Sequence, residues 1–390
     1  MFLPNSALTS SLKSRRQPVP EFHAKISPSS FKRLRQCPGS LRYVSALRQQ
    51  GKLKADTSSE AAENGTAQHE VIEMALDGMQ IEAPYTAENG VELDVDQVAA
   101  AYEVVDWIRI QKFDKLWNEM RVPVGKALRL NDPDLCWGTS DVIGYLAEEK
   151  ALYVIDAKMG FMAVEPEAND QALLYSVGAL EALTDLPVDH VYNVIIQPKA
   201  GGVKIAPALT LDQLDDYKID ARQVIAASNQ TDAPLIPGED QCRFCPASGQ
   251  CRAQIDDDFE DLDHVEAGVL SGEEIGHWLT RAAHLKSTLA AIAAEALRRM
   301  EIGDAIPGWV REAGQSRATW IDEDEVIFAI EDAGLDVDIY APRKPATQTA
   351  LKKAMGKAKV EALVHRKPGQ PKLTPADKAK NPLDADFEVL

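Results

Sequence analysis

Three polar residues near the middle of the chain carry the clearest chemical signal. Asp141 stands in an apolar, β-prone run spanning residues 138–146, and Asp156 and Lys158 close a second run, Val154-Ile155-Asp156-Ala157-Lys158. Between the runs lies Ala147-Glu148-Glu149-Lys150, a connection short enough for an antiparallel hairpin. Such pairing brings Asp141 and Asp156 together, and strand alternation puts Asp156 and Lys158 on one side. Two carboxylates and an ammonium converging on a point have no use in an apolar core. Carboxylate oxygens are hard donors that suit Mg²⁺ or Mn²⁺. A lysine beside them can position a water and offset charge developing on a phosphoryl group. Alone, an Asp-x-Lys strand end is more often an ordinary surface ion pair, so its company decides.

Cysteines form a second constellation. Cys242, Cys245 and Cys251 make a tight trio, and Cys37 is a lone partner far earlier in the chain. Four thiolates suit either Zn²⁺ or an iron–sulfur cluster. Cys136, beside Trp137, is the odd one and reads as packing. Five cysteines, no apolar leader within residues 1–20 and no membrane-length apolar run point to a cytoplasmic protein without a disulfide frame.

The elements that must position these residues follow from periodicity and punctuation. Ser27-Pro28 opens a short helix to Gln36, and Cys37-Pro38-Gly39 stops it. A helix is expected over 58–77, with Gly65 inside it or dividing it, and another from Val95 to about Asn118, with Val98, Tyr102, Val105 and Ile108 in helical spacing. Strands are expected at 138–146, 151–157, 191–197 and 202–209. Helices follow at about 170–183, capped by Asn169 or Asp170, and at 211–228. Ser271-x-x-Glu274 is a capping box, and Gly303 ends its helix. Along that helix Ile275, Trp278, Ala282, Leu285 and Leu289 alternate three and four apart, a seam for a partner helix, more often an internal hairpin than an oligomer interface. A further helix is expected at 347–363.

The net charge is −19, from 42 Lys+Arg against 61 Asp+Glu, which excludes a uniformly basic nucleic-acid coat. It is unevenly spread. Residues 11–54 hold eleven basic residues and one Glu, residues 341–390 carry +6, and the body between sums to −35. The basic helix bearing Lys32, Arg33 and Arg35 is therefore the best place for a phosphate contact.

In this order the motifs resemble the RecB-like branch of the PD-(D/E)XK nucleases. Gly65-Thr66-Ala67-Gln68-His69 matches the branch's helix-borne histidine, and Gln171-x-x-x-Tyr175 matches its Q-x-x-x-Y motif. Residues four apart share a helix face, so Gln171 and Tyr175 can reach one groove. The lone Cys37 and the late trio, bracketing these motifs, look like the [4Fe–4S] arrangement of AddB-type and CRISPR-adaptation nucleases. Trp137-Gly138-Thr139-Ser140-Asp141, Asn169-Asp170-Gln171 and Lys367-Pro368-Gly369-Gln370-Pro371 extend the likeness to a prophage-associated, functionally uncharacterised family of such nucleases, from about His23 to Leu383. Ala157 and Met159-Gly160 depart from it, where an aromatic after the Asp and Tyr-Gly after the Lys are the pattern.

The resemblance implies an α/β PD-(D/E)XK (restriction-endonuclease-like) core with a central mixed sheet flanked by helices. The implied division is a disordered arm at 1–22, a nuclease domain at 23–262 closed by the four cysteines, a helical region at 263–363 and a basic tail at 364–390. The implied activity is that of a Mg²⁺- or Mn²⁺-dependent exonuclease acting at DNA ends, on single strands or the ends of duplexes, in phage replication or recombination inside a bacterial host. His69, Asp141, Asp156 and the Ala157 carbonyl would hold the metal. Lys158 would orient and help deprotonate the attacking water. Gln171 and Tyr175 would line the strand channel, and Cys37, Cys242, Cys245 and Cys251 would hold the cluster, or else structural Zn²⁺. A phage single-strand-binding or annealing protein is the expected protein partner. The rival readings are a non-cleaving DNA-binding or recombination-mediator protein on this scaffold, and a zinc-stapled interaction protein.

Overall fold

The computed structural model describes residues 24–53, 60–260 and 270–309. The expected arm at 1–22, the boundary at 262/263, the helix at 347–363 and the tail at 364–390 fall outside them. A 3₁₀ turn at Pro28–Ser30 leads into α1 (Phe31–Gln36), followed by α2 (Ser40–Gln49) and α3 (Glu60–Leu76). A two-stranded ribbon, β1 (Tyr85–Thr86) and β2 (Glu92–Leu93), precedes α4 (Val95–Gln111), whose start is fixed by an Asp94/Gln97 capping box. Then come β3 (Lys115–Val122), α5 (Val124–Ala127), β4 (Gly138–Leu146), β5 (Ala151–Ala157), α6 (Asp170–Ala182) and β6 (His190–Gln197). β7 (Gly202–Ile205), β8 (Leu209–Thr210), α7 (Leu211–Ser228), α8 (Glu239–Arg243), α9 (Arg252–Glu260) and α10 (Gly272–Glu301) complete the described chain.

The fold is α/β, with a central mixed sheet in the order β3-β4-β5-β6-β7 and β8 also paired to β6. Only β5 and β6 run parallel, and α6 is the crossover between them, as parallel pairing requires. Alternation along the central strands fills both faces. Ile143, Tyr145, Leu152 and Val154 pack under α6 and α7, while Val142 and Ile155 pack under α3 and α4. Cys136 lies within the first of these cores, fully buried, which agrees with its reading as packing.

The hairpin, α6 and α7 form where expected. Three expectations need correction. The helix from Val95 ends at Gln111 rather than near Asn118, because Lys112 turns left-handed at φ 55° and the chain then becomes β3. The strand expected at 202–209 is two strands, parted at Ala206-Pro207-Ala208, since proline has no N–H for the ladder. The side of α10 that is buried is polar: Thr288 donates to Asp258 at 2.6 Å, and His284 lies 2.8 Å from the same carboxylate. Ile275 and Leu289 of the expected seam are exposed among the described residues.

The basic helix α1 also differs from expectation. Arg35 forks onto Asp170 at the start of α6, at 2.7 and 3.0 Å, and reaches Asp220 of α7 at 2.7 Å. The Tyr217 hydroxyl donates to the same Asp170 at 3.0 Å. Lys32 pairs with Asp240 of α8 at 2.7 Å. These cations fasten α1 to three helices, so Lys32 and Arg35 do not stand free for phosphate.

Arg35→Met should therefore destabilise the protein by about 2 kcal/mol, the scale for hydrogen bonds to charged groups. Lys32→Met, on a pair open to solvent, should change stability by no more than about 0.5 kcal/mol. Urea unfolding of the two variants checks this contrast.

Candidate active site

Strand register gathers the acidic residues. Val142 pairs with Ile155, which sets Asp141 across from Asp156. On the other flank Asn118 pairs with Val142 and Met120 with Ser140, which sets Glu119 across from Asp141. Glu119, Asp141 and Asp156 thus occupy one row across three neighbouring strands. Like charges directly opposite one another are destabilising, so this row needs compensation.

Two kinds of compensation are present. At the β5 end, the Lys158 ammonium meets both oxygens of Asp156, at 2.9 and 2.7 Å. Gln171 of α6 donates to the same carboxylate at 3.1 Å and to the Tyr175 hydroxyl at 3.4 Å. Asn169 caps α6 by accepting from the backbone of Gln171 and Ala172, which fixes where Gln171 starts its turn. Gly138 lets Tyr175 in, since a Cβ there would fall 2.8 Å from the tyrosine ring. At the β3 end, α3 brings His69, whose Nδ1 lies 3.6 Å from Asp141 Oδ1. The other Asp141 oxygen accepts the Ala157 N–H at 2.8 Å, so the hairpin itself orients the carboxylate.

His69, Glu119 and Asp141 each offer a ligand atom, all within 4.8 Å of one another. An octahedral ion with bonds of about 2.1 Å spans about 4.2 Å between opposite ligands, so the trio is near the spacing that Mg²⁺ or Mn²⁺ needs. This His/Glu/Asp group could hold a metal ion. Asp156 is outside the trio, its carboxylate turned to Lys158 and Gln171. Its Oδ2 is nevertheless shielded from solvent and accepts no hydrogen bond in good geometry.

Glu119 was not foreseen from sequence. It sits in a strand mistaken for the end of a helix, and no motif marks it. Its backbone has φ 44°, rare for a residue with a side chain and costing about 1–3 kcal/mol. The strain breaks the ladder pairing at that one position.

Electrostatics follow from crowding. Burial pushes the Asp156 carboxyl up to about 6, with Asp141 adding to the rise and Lys158 and His69 opposing it. Glu119 keeps a solvent-exposed edge, yet desolvation by the protein around its carboxyl, with Asp141 and Glu73, pushes it up to about 7 against the pull of His69. For Lys158, burial favours the neutral amine, but Asp156 and Asp141 outweigh it and hold the ammonium above its ordinary range. Burial, with the carboxylates nearby, raises Tyr175 and keeps it a phenol.

Cys37, Cys242, Cys245 and Cys251 line one small cavity between the end of α1 and the segment around α8. Ile236 N–H donates to Cys37 Sγ at 3.3 Å and Gly238 N–H to Cys242 Sγ at 3.4 Å. Gly39 permits the approach: its N–H donates to the Pro234 carbonyl at 2.8 Å, where a Cβ would collide with backbone. Burial pushes the Cys242 thiol up to about 11, the Gly238 bond opposing and the other cysteines adding. Cys245 is raised by burial and lowered in part by its bond to Ala247 and by Arg33. Arg33, expected at DNA, thus lies within electrostatic reach of the cysteines. No three of these sulfurs lie within 4.8 Å of one another. A single Zn²⁺ with bonds of about 2.3 Å needs them about 3.8 Å apart, so no closed zinc cage is formed as they stand.

A family model described as "Protein of unknown function (DUF2800)" matches residues 23–381, and the chain belongs to that family. Among solved structures, the chain is similar to the crystal structure of SSO0001, at 16% identity and TM-score 0.34, over 59% of this chain and 86% of that one. It is also similar to a structure described as "Putative exonuclease" from Eubacterium rectale, at 11% identity and TM-score 0.34, over 68% of this chain and 97% of that one. No described helix is long and apolar enough to cross a membrane.

The raised carboxyls set a pH signature. Asp156 and Glu119 keep protons in the folded state where the unfolded chain has released them, so metal-free stability should fall as pH rises from about 4 through 7. A divalent cation needs the deprotonated ligands. Mn²⁺ should accordingly raise the melting temperature more at pH 7.5 than at pH 5.5. Glu119→Gln should weaken Mn²⁺ binding at least ~10-fold, the lower end of what losing even a ligand's outer partner costs. Calorimetric titration at the two pH values checks both.

Proposed function

We propose that this DUF2800 chain is a metal-dependent deoxyribonuclease of the PD-(D/E)XK kind, acting on single strands or duplex ends. The observation that carries the reading is the Glu119–Asp141–Asp156 row with His69 at one end and Lys158 at the other. In the proposed site His69, Glu119 and Asp141 hold the cation, with Asp156 and the Ala157 carbonyl as the further donors the resemblance implies. When bound, the ion supplies Lewis acidity toward a phosphoryl oxygen and lowers the pKa of water.

The chain's own groups do the rest. Lys158, held protonated by its carboxylate neighbours, faces the developing phosphoryl charge and orients a water, rather than removing that water's proton. Gln171 fixes Asp156 against rotation. Tyr175 receives a bond from Gln171 and keeps its own proton for a phosphate oxygen. Water attacks phosphorus and releases a proton to solvent, the P–O bond to the leaving sugar oxygen breaks, that oxygen takes up a proton from solvent, and no covalent enzyme intermediate forms. Asp156→Asn and Lys158→Ala should each lower cleavage of end-labelled DNA by at least ~10²-fold, the scale for one electrostatic stabiliser, while the protein stays folded. Wild-type-like cutting by both in Mn²⁺ would remove this assignment.

The cysteine cavity supports a companion proposal, a [4Fe–4S] cluster fastening α1 to the segment around α8. All four cysteines line that one cavity, although their sulfurs are not gathered as a set of metal ligands. Two backbone N–H groups already point at sulfur, and Arg33 adds positive charge beside an anionic centre. Protein purified without oxygen should contain about four irons per chain. Cys245→Ala should lose them and Cys136→Ala should keep them. Stoichiometric zinc in their place would decide for the zinc reading.

A further inference from the structure

The loop leaving β5 is built to display an aromatic ring. Phe161 stands three residues after Lys158 and is 80% exposed, and Met162 beside it is 50% exposed. Large apolar side chains so open are usually accompanied by a loose backbone, yet this loop is pinned. Gln197, at the end of β6 and only 1% exposed, donates to the carbonyls of Gly160 and Met162 at 2.9 and 2.7 Å and accepts from Val164 N–H at 3.1 Å. Lys204 of β7 adds a bond to the Val164 carbonyl at 3.3 Å and neutralises Glu165. This buried glutamine uses both amide N–H donors and its amide oxygen on one loop, and so holds that loop still.

The displayed ring has a cation beside it. Lys199 Nζ lies 5.4 Å from the Phe161 ring centre and has no carboxylate within ion-pair distance among the described residues. Position completes the picture. β5 and β6 are parallel, with Ala157 beside Ile196, and the Lys158 N–H donates to the Ile196 carbonyl at 2.9 Å. The Phe161 loop and the turn carrying Lys199 therefore leave the sheet at the same end, the end that holds Asp156 and Lys158. In open α/β sheets ligands bind in the crevice at the carboxyl ends of parallel strands.

We infer that Phe161, with Met162, is a stacking platform for an unpaired base, and that Lys199 meets the phosphate beside it. The inference rests on the nuclease reading for the location of the strand, and it names the substrate: a single strand, or an end whose bases have splayed. An aromatic face suits an acidic body, because stacking needs no net positive charge and accepts every base. Inside a duplex each base is covered by its neighbours, so only the terminal pairs offer a face to the ring.

The test is fluorescence anisotropy with a labelled 20-nucleotide single strand and its blunt duplex, in EDTA so that nothing is cut. Phe161→Ala should weaken single-strand binding about 5- to 100-fold and leave its salt dependence unchanged. Phe161→Trp should restore binding, and duplex affinity should move less than about twofold. Lys199→Gln should lower the salt slope by about 0.7. Phe161 is exposed, so thermal stability should match wild type in all three variants. Single-strand affinity unchanged in Phe161→Ala overturns the inference, as does equal loss on the duplex. A loss accompanied by a change in sedimenting mass also overturns it and assigns the patch to contact between copies. If wild type binds the strand through Phe161 but never cuts in Mg²⁺ or Mn²⁺, the nuclease reading fails and this one stands. If it cuts while Phe161 is dispensable, only this one fails.

Discussion

A row of three carboxylates across neighbouring strands is the constraint on which the rest of the site depends. Glu119, Asp141 and Asp156 are brought abreast by register alone, and register is fixed by the apolar alternation of β4 and β5. A one-residue slip would exchange the two cores and scatter the row. The row has no favourable state by itself. Lys158 and Gln171 satisfy one end, while His69 leaves the other with two carboxyls and one imidazole, an arrangement that favours either protons or a cation. The pKa values of about 6 and about 7 are the proton-bound answer. The proposed metal is the alternative, an answer to the same burial, the larger cause of the rise, and to the same neighbouring charge.

The helices hold this row from two sides of the sheet. α6 approaches over the Leu152/Val154 face and brings Gln171 and Tyr175, while α3 packs over the Val142/Ile155 face and brings His69. Neither helix alone could enclose the row. Arg35 is the tie on the α6 side: by bridging Asp170 and Asp220 it fixes the first turn of α6, and hence Gln171, against α1 and α7. Because α1 ends in Cys37, the same short helix joins the acidic site to the cysteine cavity. A centre bound by those thiols would add rigidity to a contact that already positions the end of α6 carrying Gln171.

Much of this was legible in the sequence, for identifiable reasons. β4 and β5 show period-two alternation around a four-residue turn, and α6 and α7 show caps, so their boundaries emerge from local chemistry. The pairing of Asp156 with Lys158 follows from that period. Glu119 was hidden because its strand follows a long helix with no glycine or proline between them. The helix stops where Lys112 adopts a left-handed conformation, which lysine does not announce. The fate of Lys32 and Arg35 was illegible for another reason. Their partners, Asp240, Asp170 and Asp220, are more than a hundred residues away, and only the assembled fold reveals which charges are already used.

That last point changes how the charge gradient works. An excess of ten positive charges over residues 11–54 suggests a basic surface, but Lys32 and Arg35 are consumed by the acidic body, and Arg33 lies near the cysteines. Within that segment α1 acts as an adhesive, its Lys32 and Arg35 offsetting carboxylates of α6, α7 and α8 where these helices converge. Among the described residues, α1 therefore offers a polyanion little uncommitted positive charge. Under the proposed function, recognition would rest on a few local contacts: a cation at the carboxylate row, Lys158 beside it and, on the inference drawn above, one rigidly presented ring. On that reading the grip would depend weakly on salt and strongly on unpaired bases, because stacking needs no net positive charge.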